Sequence, residues 1–232
     1  MSRVPLIALL CTGLACLACN SQSREASARS SQVTAAPAVP AANGAGADSL
    51  FDAADRGRVL GSETATVWLL MVSDFQCPYC KDWHDATFAI VKKEYVDAGK
   101  IRMAYMNFPL QQHQNAWPSA ITAMCASAQG KFWPTQDRIF ATQKSWESLS
   151  NPVAYLDSLA IASGADPARQ HACTKDRQLR SLIDRDLLRM RQAGVQSTPT
   201  FFVGSRKIEG AQPADSFRKV IDSLLTAGRR NR

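Results

Sequence analysis

From residue 66 to residue 72 the chain reads Thr66-Val67-Trp68-Leu69-Leu70-Met71-Val72, a β-branched and apolar run that predicts a buried strand. After a short polar break, Trp83, Phe88, Ile90, Val91 and Tyr95 are mixed with charges in the manner of a helix packed on a sheet. Lys100 to Met106 then alternates like a second strand, and Phe108-Pro109 closes it. The order is β, α, β.

Helical patterning follows. It runs from Ala116 to Ala128 after Asn115 as a cap, from Phe132 to Thr142, from Pro152 to Ser163 after Asn151, and from Pro167 to Ala193 after Asp166. In the last of these, Leu179, Ile183, Leu187 and Met190 share one face. Arg177, Arg180, Arg185, Arg189 and Arg191 lie largely elsewhere, as a solvated basic face. Thr200 to Val203 and Arg206 to Glu209 then read as two strands joined by a turn, and a helix from Pro213 to about Leu225 ends the pattern.

The first 49 residues behave differently. Arg3 precedes the apolar stretch Val4 to Ala18, too short to span a bilayer and suited to a secretory signal. Small residues directly before Cys19 resemble the lipidation site of bacterial lipoproteins, with Cys16 in place of the Leu that such a site usually carries three residues earlier. Residues 1–19 are therefore expected to form a lipoprotein-type signal, with Cys19 acylated. From Ser21 to Ala47 the chain is Ser, Ala, Gln, Pro, Gly and Asn with almost no large apolar residue, so burial cannot offset the entropy of ordering it. Residues 20–49 are expected to form a flexible tether with a reach of roughly 30 Å, and the folded part is expected over 50–232. The 232 residues, 46% of them apolar, suffice for one sizeable core. The formal charge of +7 favours anionic surfaces or acidic partners, but no aromatic-interleaved basic motif accompanies it, which argues against nucleic acid.

The chemistry sits between the first strand and its helix, in Phe75-Gln76-Cys77-Pro78-Tyr79-Cys80. Two thiols separated by two residues at a helix start form a dithiol that opens and closes reversibly. Unpaired N–H groups and the helix dipole favour an anion there, so Cys77 is expected to be partly thiolate near neutral pH, within the range of roughly 3.5 to 7.5 seen in such motifs. Cys80, one turn further in and less exposed, is expected to be the resolving thiol. A zinc site would need two further ligands, and Cys125, Cys173, His84 and His113 show no ligand spacing. Haem attachment would need His where Lys81 stands. No metal is expected, and no cofactor beyond the dithiol. His113 is expected to pack or cap at the mouth of the helical segment rather than to act in catalysis, and His84 to be a partly buried helix residue.

Asp74 to Cys80, the late Gly194-Val195-Gln196-Ser197-Thr198-Pro199-Thr200-Phe201-Phe202-Val203 and the helical material between them resemble the DsbA-like thioredoxin-fold thiol:disulfide oxidoreductases, over about residues 58–225. Phe108-Pro109-Leu110, His113, Cys125, Gln129 to Trp133 and Cys173 belong to the same resemblance. It implies an α/β thioredoxin fold, a central β-sheet flanked by helices, with an all-helical domain inserted over about 107–193. It also implies a cis Thr198-Pro199 bond facing the dithiol. There the Thr198 backbone would take an extended substrate segment, with Pro78 and Tyr79 in the same surface. A second, structural disulfide between Cys125 and Cys173 is expected with support from this resemblance, the alternative being two buried free thiols. The exposed catalytic pair would be the easier of the two to reduce. One position departs from the family. Six residues before the first cysteine, where these proteins usually bury an acid, stands Met71. Asp74 lies nearer, but alternation puts it on the opposite face from Met71.

The expectation is an exported enzyme, a monomer of the periplasm or cell envelope, that passes its Cys77–Cys80 disulfide to cysteine-containing exported proteins. A membrane redox partner would reset it. A reductase or isomerase is the alternative within the same chemistry, and a tethered peptide-binding or chaperone module with a vestigial dithiol is the alternative outside it.

Overall fold

The computed structural model describes residues 49–175 and 177–230. The expected signal, Cys19 and all but the last residue of the expected tether lie outside them. Five strands, β1 (Val59–Leu60), β2 (Val67–Ser73), β3 (Ile101–Asn107), β4 (Thr200–Val203) and β5 (Arg206–Glu209), form one sheet in the order β1-β3-β2-β4-β5. β2 and β3 run parallel, with Met71 opposite Tyr105, and the other pairs are antiparallel. The helical run α2 (78–96) connects β2 to β3. It is α-helical over Pro78–Trp83 and Ala89–Val91 and of π type over His84–Phe88 and Lys92–Val96. Six helices lie between β3 and β4: α3 (Ala116–Ser127), α4 (Phe132–Ala141), α5 (Gln143–Trp146), α6 (Val153–Ala162), α7 (Pro167–Thr174) and α8 (Arg177–Gln192). α1 (Leu50–Gly57) precedes the sheet and α9 (Ala214–Arg230) closes the chain. The result is the mixed sheet flanked by helices of a thioredoxin fold.

β2 divides the core by its alternation. Leu69 and Met71 enter the larger apolar cluster, with Phe75, Trp83, Tyr105, Phe201 and Phe217. Leu70 and Val72 face a smaller cluster with Met106, Phe108, Met190 and Val195. Trp83 packs 4.5 Å from Phe201 and 5.5 Å from Phe217, so α2 and α9 share one side of the sheet. The buried guanidinium of Arg58, directly before β1, pairs with buried Asp186 of α8 and donates to the Tyr105 carbonyl at 3.1 Å. Asp186 also accepts from the Asn107 backbone and side chain, so α8, β1 and the end of β3 are tied together.

Local differences from the sequence reading have physical causes. The single helix expected from Pro167 to Ala193 is two helices, α7 and α8. One straight helix of that length would extend about 40 Å, whereas α7 must deliver Cys173 to α3 and α8 must deliver Asp186 to Arg58. Asp166 caps α7 through the Arg169 N–H, as expected. Asn115 does not cap α3 with its side chain; its amide donates instead to the Trp146, Glu147 and Leu149 carbonyls. Asn151 does not cap α6 either, since Pro152 holds the N-cap position there. The basic face of α8 is not wholly solvated, because Arg180 stacks on Trp117 at 4.1 Å and Arg185 on Phe51 at 4.2 Å. The two-residue β1 is too short to show a period.

Candidate active site

β2 ends at Ser73, and the chain turns through Asp74 to Cys77, which holds the N-cap position of α2 in extended conformation. Pro78 occupies the first helical turn, where its missing N–H costs nothing. No side chain caps this end; the Cys80 and Lys81 N–H groups donate to the Cys77 carbonyl, and the Cys80 N–H also bears on the Cys77 sulfur. Cys77 and Cys80 are both unlinked. Contrary to the expected exposed pair, both are buried, Cys77 at 3% and Cys80 at 2% exposure. Within the motif the exposed residues are Pro78 and Tyr79, the latter at 64%.

The two sulfurs differ in acidity because their surroundings differ. The Cys77 thiol is lowered to about 6, chiefly by hydrogen bonding from the Cys80 thiol, with the Thr198 side chain and the Cys80 N–H adding to this against burial and the Asp74 charge. Cys80 moves the other way, well above the ordinary thiol value. Burial is the largest cause, then the proton it shares with Cys77 and the Cys77 charge; the Asp74 N–H, 3.5 Å from the Cys80 sulfur, and the Ser73 hydroxyl oppose the rise only in part. One sulfur is thus prepared to carry charge and its neighbour to carry a proton.

The peptide bond between Thr198 and Pro199 is cis. It brings the Thr198 carbonyl oxygen within 3.4 Å of the Cys77 sulfur, which donates to it while protonated. The Thr198 hydroxyl is buried and has no partner among the described residues, which leaves it available to the Cys77 thiolate. The Pro199 carbonyl accepts from the Gly210 N–H at 2.9 Å, holding this loop to the end of β5.

Residues that carried no signal in the sequence hold the dithiol loop from the helical side. Gln143 of α5 donates to the carbonyls of Phe75 and Cys77 at 2.7 and 3.2 Å. Gln76 donates to the Glu147 carbonyl at 2.9 Å and accepts from the Asn115 N–H at 2.6 Å. Their partners are main-chain groups, so no pairing of residue types marks these contacts; the one hint is a Gln between two aromatic-rich stretches.

Met71 lies in the larger cluster with both cysteines and supplies no acid beneath them. Asp74, on the other face, is fully buried and held by three donors: the Gln76 N–H at 2.8 Å, the Leu110 N–H at 2.9 Å and His113 Nδ1 at 2.8 Å. His113 is thus brought to the dithiol loop rather than serving only to pack or cap. Its pKa is raised by the Asp74 hydrogen bond, against partial burial, with the Asp74, Cys77 and Glu147 charges adding to the rise. Lys81 bonds Asp85 one turn along the helix and takes no part at the sulfurs. His84 stacks on Phe88 and reaches Asp137 at 2.9 Å, as a partly buried helix residue does.

Cys125 and Cys173 are joined, which ties α3 to α7 across 48 residues of sequence. Among the described residues no group of three or more His, Cys, Asp or Glu side chains is placed to hold a metal ion. No helix among them is long and apolar enough to cross a membrane.

Comparison with known proteins places this geometry. Residues 53–223 match the family described as Thioredoxin. The chain is 29% identical over 176 residues to the Na(+)/H(+) antiporter NhaA 3 of Salinispora tropica, a match covering 75% of this chain but only 26% of that protein. It is 26% identical over 172 residues to a probable disulfide bond formation protein D of Bacillus cereus, covering 72% of this chain and 77% of that one. Among solved structures, alpha-DsbA1 of Wolbachia pipientis superposes with a TM-score of 0.67 at 23% identity, over 75% of this chain and 93% of that one.

Proposed function

Because the chain belongs to the thioredoxin family, as a DsbA-like thiol:disulfide oxidoreductase, we propose that it exchanges the Cys77–Cys80 disulfide with cysteines of substrate proteins and acts as their oxidase. The observation that carries this reading is the unequal pair of sulfurs. Cys77 is drawn toward the thiolate beside Thr198-Pro199, while Cys80 is held protonated behind it. A stabilised thiolate favours the reduced form of the enzyme, and this makes its disulfide a strong oxidant.

In the oxidising direction a substrate thiolate attacks the Cys77 sulfur. The bond to Cys80 breaks, Cys80 leaves with the electron pair and takes up a proton, and Cys77 is joined to the substrate. A second substrate thiolate attacks the substrate sulfur of that mixed disulfide and expels Cys77 as thiolate. The substrate loses two electrons and the dithiol gains them. Thr198 and Pro199 would hold the substrate backbone, with Pro78 and Tyr79 alongside. The chemistry needs no cofactor beyond the pair. Export, acylation at Cys19, a monomeric state, and a membrane partner that withdraws the two electrons belong to the same proposal.

Insulin reduction by dithiothreitol, followed with wild type and Cys77→Ser, tests the exchange: turnover lost in the variant supports it, and turnover equal in both refutes it. Equilibration in glutathione buffers tests the direction. A potential near −120 mV supports an oxidase, and one near −270 mV would make the protein a reductant.

A further inference from the structure

The reading of the dithiol as an exchange centre leaves one cluster beside it without a role: the buried Asp74 carboxyl, three residues before Cys77, and the partly exposed His113 bonded to it. Burying a carboxylate costs several kcal/mol unless donors and an opposite charge compensate it. Two of its three donors are neutral backbone N–H groups, so among the described residues bonded to it His113 is the partner that can supply charge. The Asp74 charge also opposes a thiolate at Cys77. A protonated His113 cancels that opposition; a neutral one leaves it standing.

We propose that His113, held by Asp74, is a positioning residue for the dithiol, whose imidazolium balances the buried Asp74 carboxylate and so keeps negative charge tolerable at the Cys77 sulfur. The charge relations around the pair are few. Asp74 from the loop after β2, Glu147 from the end of α5 and the Cys77 sulfur itself bear on His113. Cys80, the Thr198 hydroxyl and Asp74 bear on Cys77. Coupling between two sites is reciprocal. If the Cys77 thiolate holds the proton on His113, the proton on His113 must hold the thiolate on Cys77 by the same factor.

This coupling is measurable on the wild-type protein, a variant being needed only to assign the signals. The chain has three histidines, and NMR titration of their ring protons, with His113→Gln used for assignment, gives the His113 midpoint in each redox state. The midpoint is expected to be higher in the reduced protein, which carries the thiolate, than in the oxidised one. Identical midpoints overturn the proposal. Absorbance titration at 240 nm of the reduced protein provides the other side: His113→Gln is expected to raise the Cys77 midpoint by about one pH unit, the scale of one neighbouring charge. An unchanged midpoint overturns it. In an Asp74→Asn background His113 loses the partner that keeps it charged, so adding His113→Gln should shift Cys77 little. A full shift there would mean that His113 acts without Asp74, against the proposal. Should Asp74→Asn fail to fold, the wild-type titration still decides. A protein that titrates as expected but does not turn over insulin would refute the exchange reading and leave the His113 coupling intact.

Discussion

The sulfur of Cys77 lies 3.4 Å from the carbonyl oxygen of Thr198, a residue 121 positions away in the sequence. Strand β4 begins two residues after Thr198 and pairs antiparallel with β2, Val72 standing opposite Thr200. The sheet therefore sets the separation of the two loops, and the Cys77 sulfur meets the Thr198 backbone without help from either loop alone.

The Thr198 hydroxyl is predicted to act on the thiolate. Thr198→Val keeps the shape and the carbonyl while removing a buried hydroxyl that has no other partner among the described residues. The Cys77 midpoint should rise toward the free-thiol value of about 8.5, and the protein should become a weaker oxidant in glutathione equilibria. Because no hydrogen bond is left broken, thermal stability of the oxidised form should change little.

Stability of the reduced form is predicted to depend on pH in a way that the oxidised form does not share. With Cys77 lowered to about 6 in the fold and near 8.5 when unfolded, the unfolded chain binds more protons between these values. Stability of the reduced protein should therefore rise from pH 6 to pH 8.5, and this contribution is lost as pH falls through 6. Cys80, raised in the fold, stabilises below the unfolded thiol value, and its contribution declines at higher pH. Urea unfolding of reduced and oxidised protein at several pH values checks this, since neither sulfur of the pair titrates in the oxidised protein.

Removing the Cys125–Cys173 bond should destabilise the helical insertion more than it affects exchange. Releasing a 48-residue loop costs about 4 kcal/mol of unfolded-state entropy. A Cys125→Ala, Cys173→Ala variant is expected to unfold at markedly lower urea while its Cys77 titration stays in place. A titration that moves with the bond would show that the insertion controls the dithiol.

The Arg58–Asp186 pair is expected to be far costlier to halve than to replace. Asp186→Asn leaves a buried guanidinium with only the partly exposed Asp55 as counter-charge and should cost about 3–5 kcal/mol in chemical denaturation. Replacing both partners with apolar residues of matching volume should recover most of that loss.

Much of the architecture was legible before the structure. β2, β3, the helix after the dithiol and the closing β4-β5-α9 unit each carry a period or a turn signal in their own residues. Boundaries failed where a distant partner overrode local propensity. Asn115 reads as a cap, yet its amide is taken by three carbonyls near α5. The long basic helix reads as continuous, yet it is divided because Cys173 and Asp186 have separate destinations.

By itself the sequence determined that two thiols stand at the junction of a buried strand and a helix, and that a Thr-Pro pair precedes a late strand. Spacing along the chain is local information, and both motifs are local. Only the tertiary structure decided that Cys77 is buried rather than exposed, that Gln143 and Asn115 help clamp its loop, and that His113 meets Asp74 beside it. Each of these depends on main-chain groups or charges brought together from segments tens of residues apart. A hydrogen bond to a backbone carbonyl leaves no trace in the identity of the residue that supplies it.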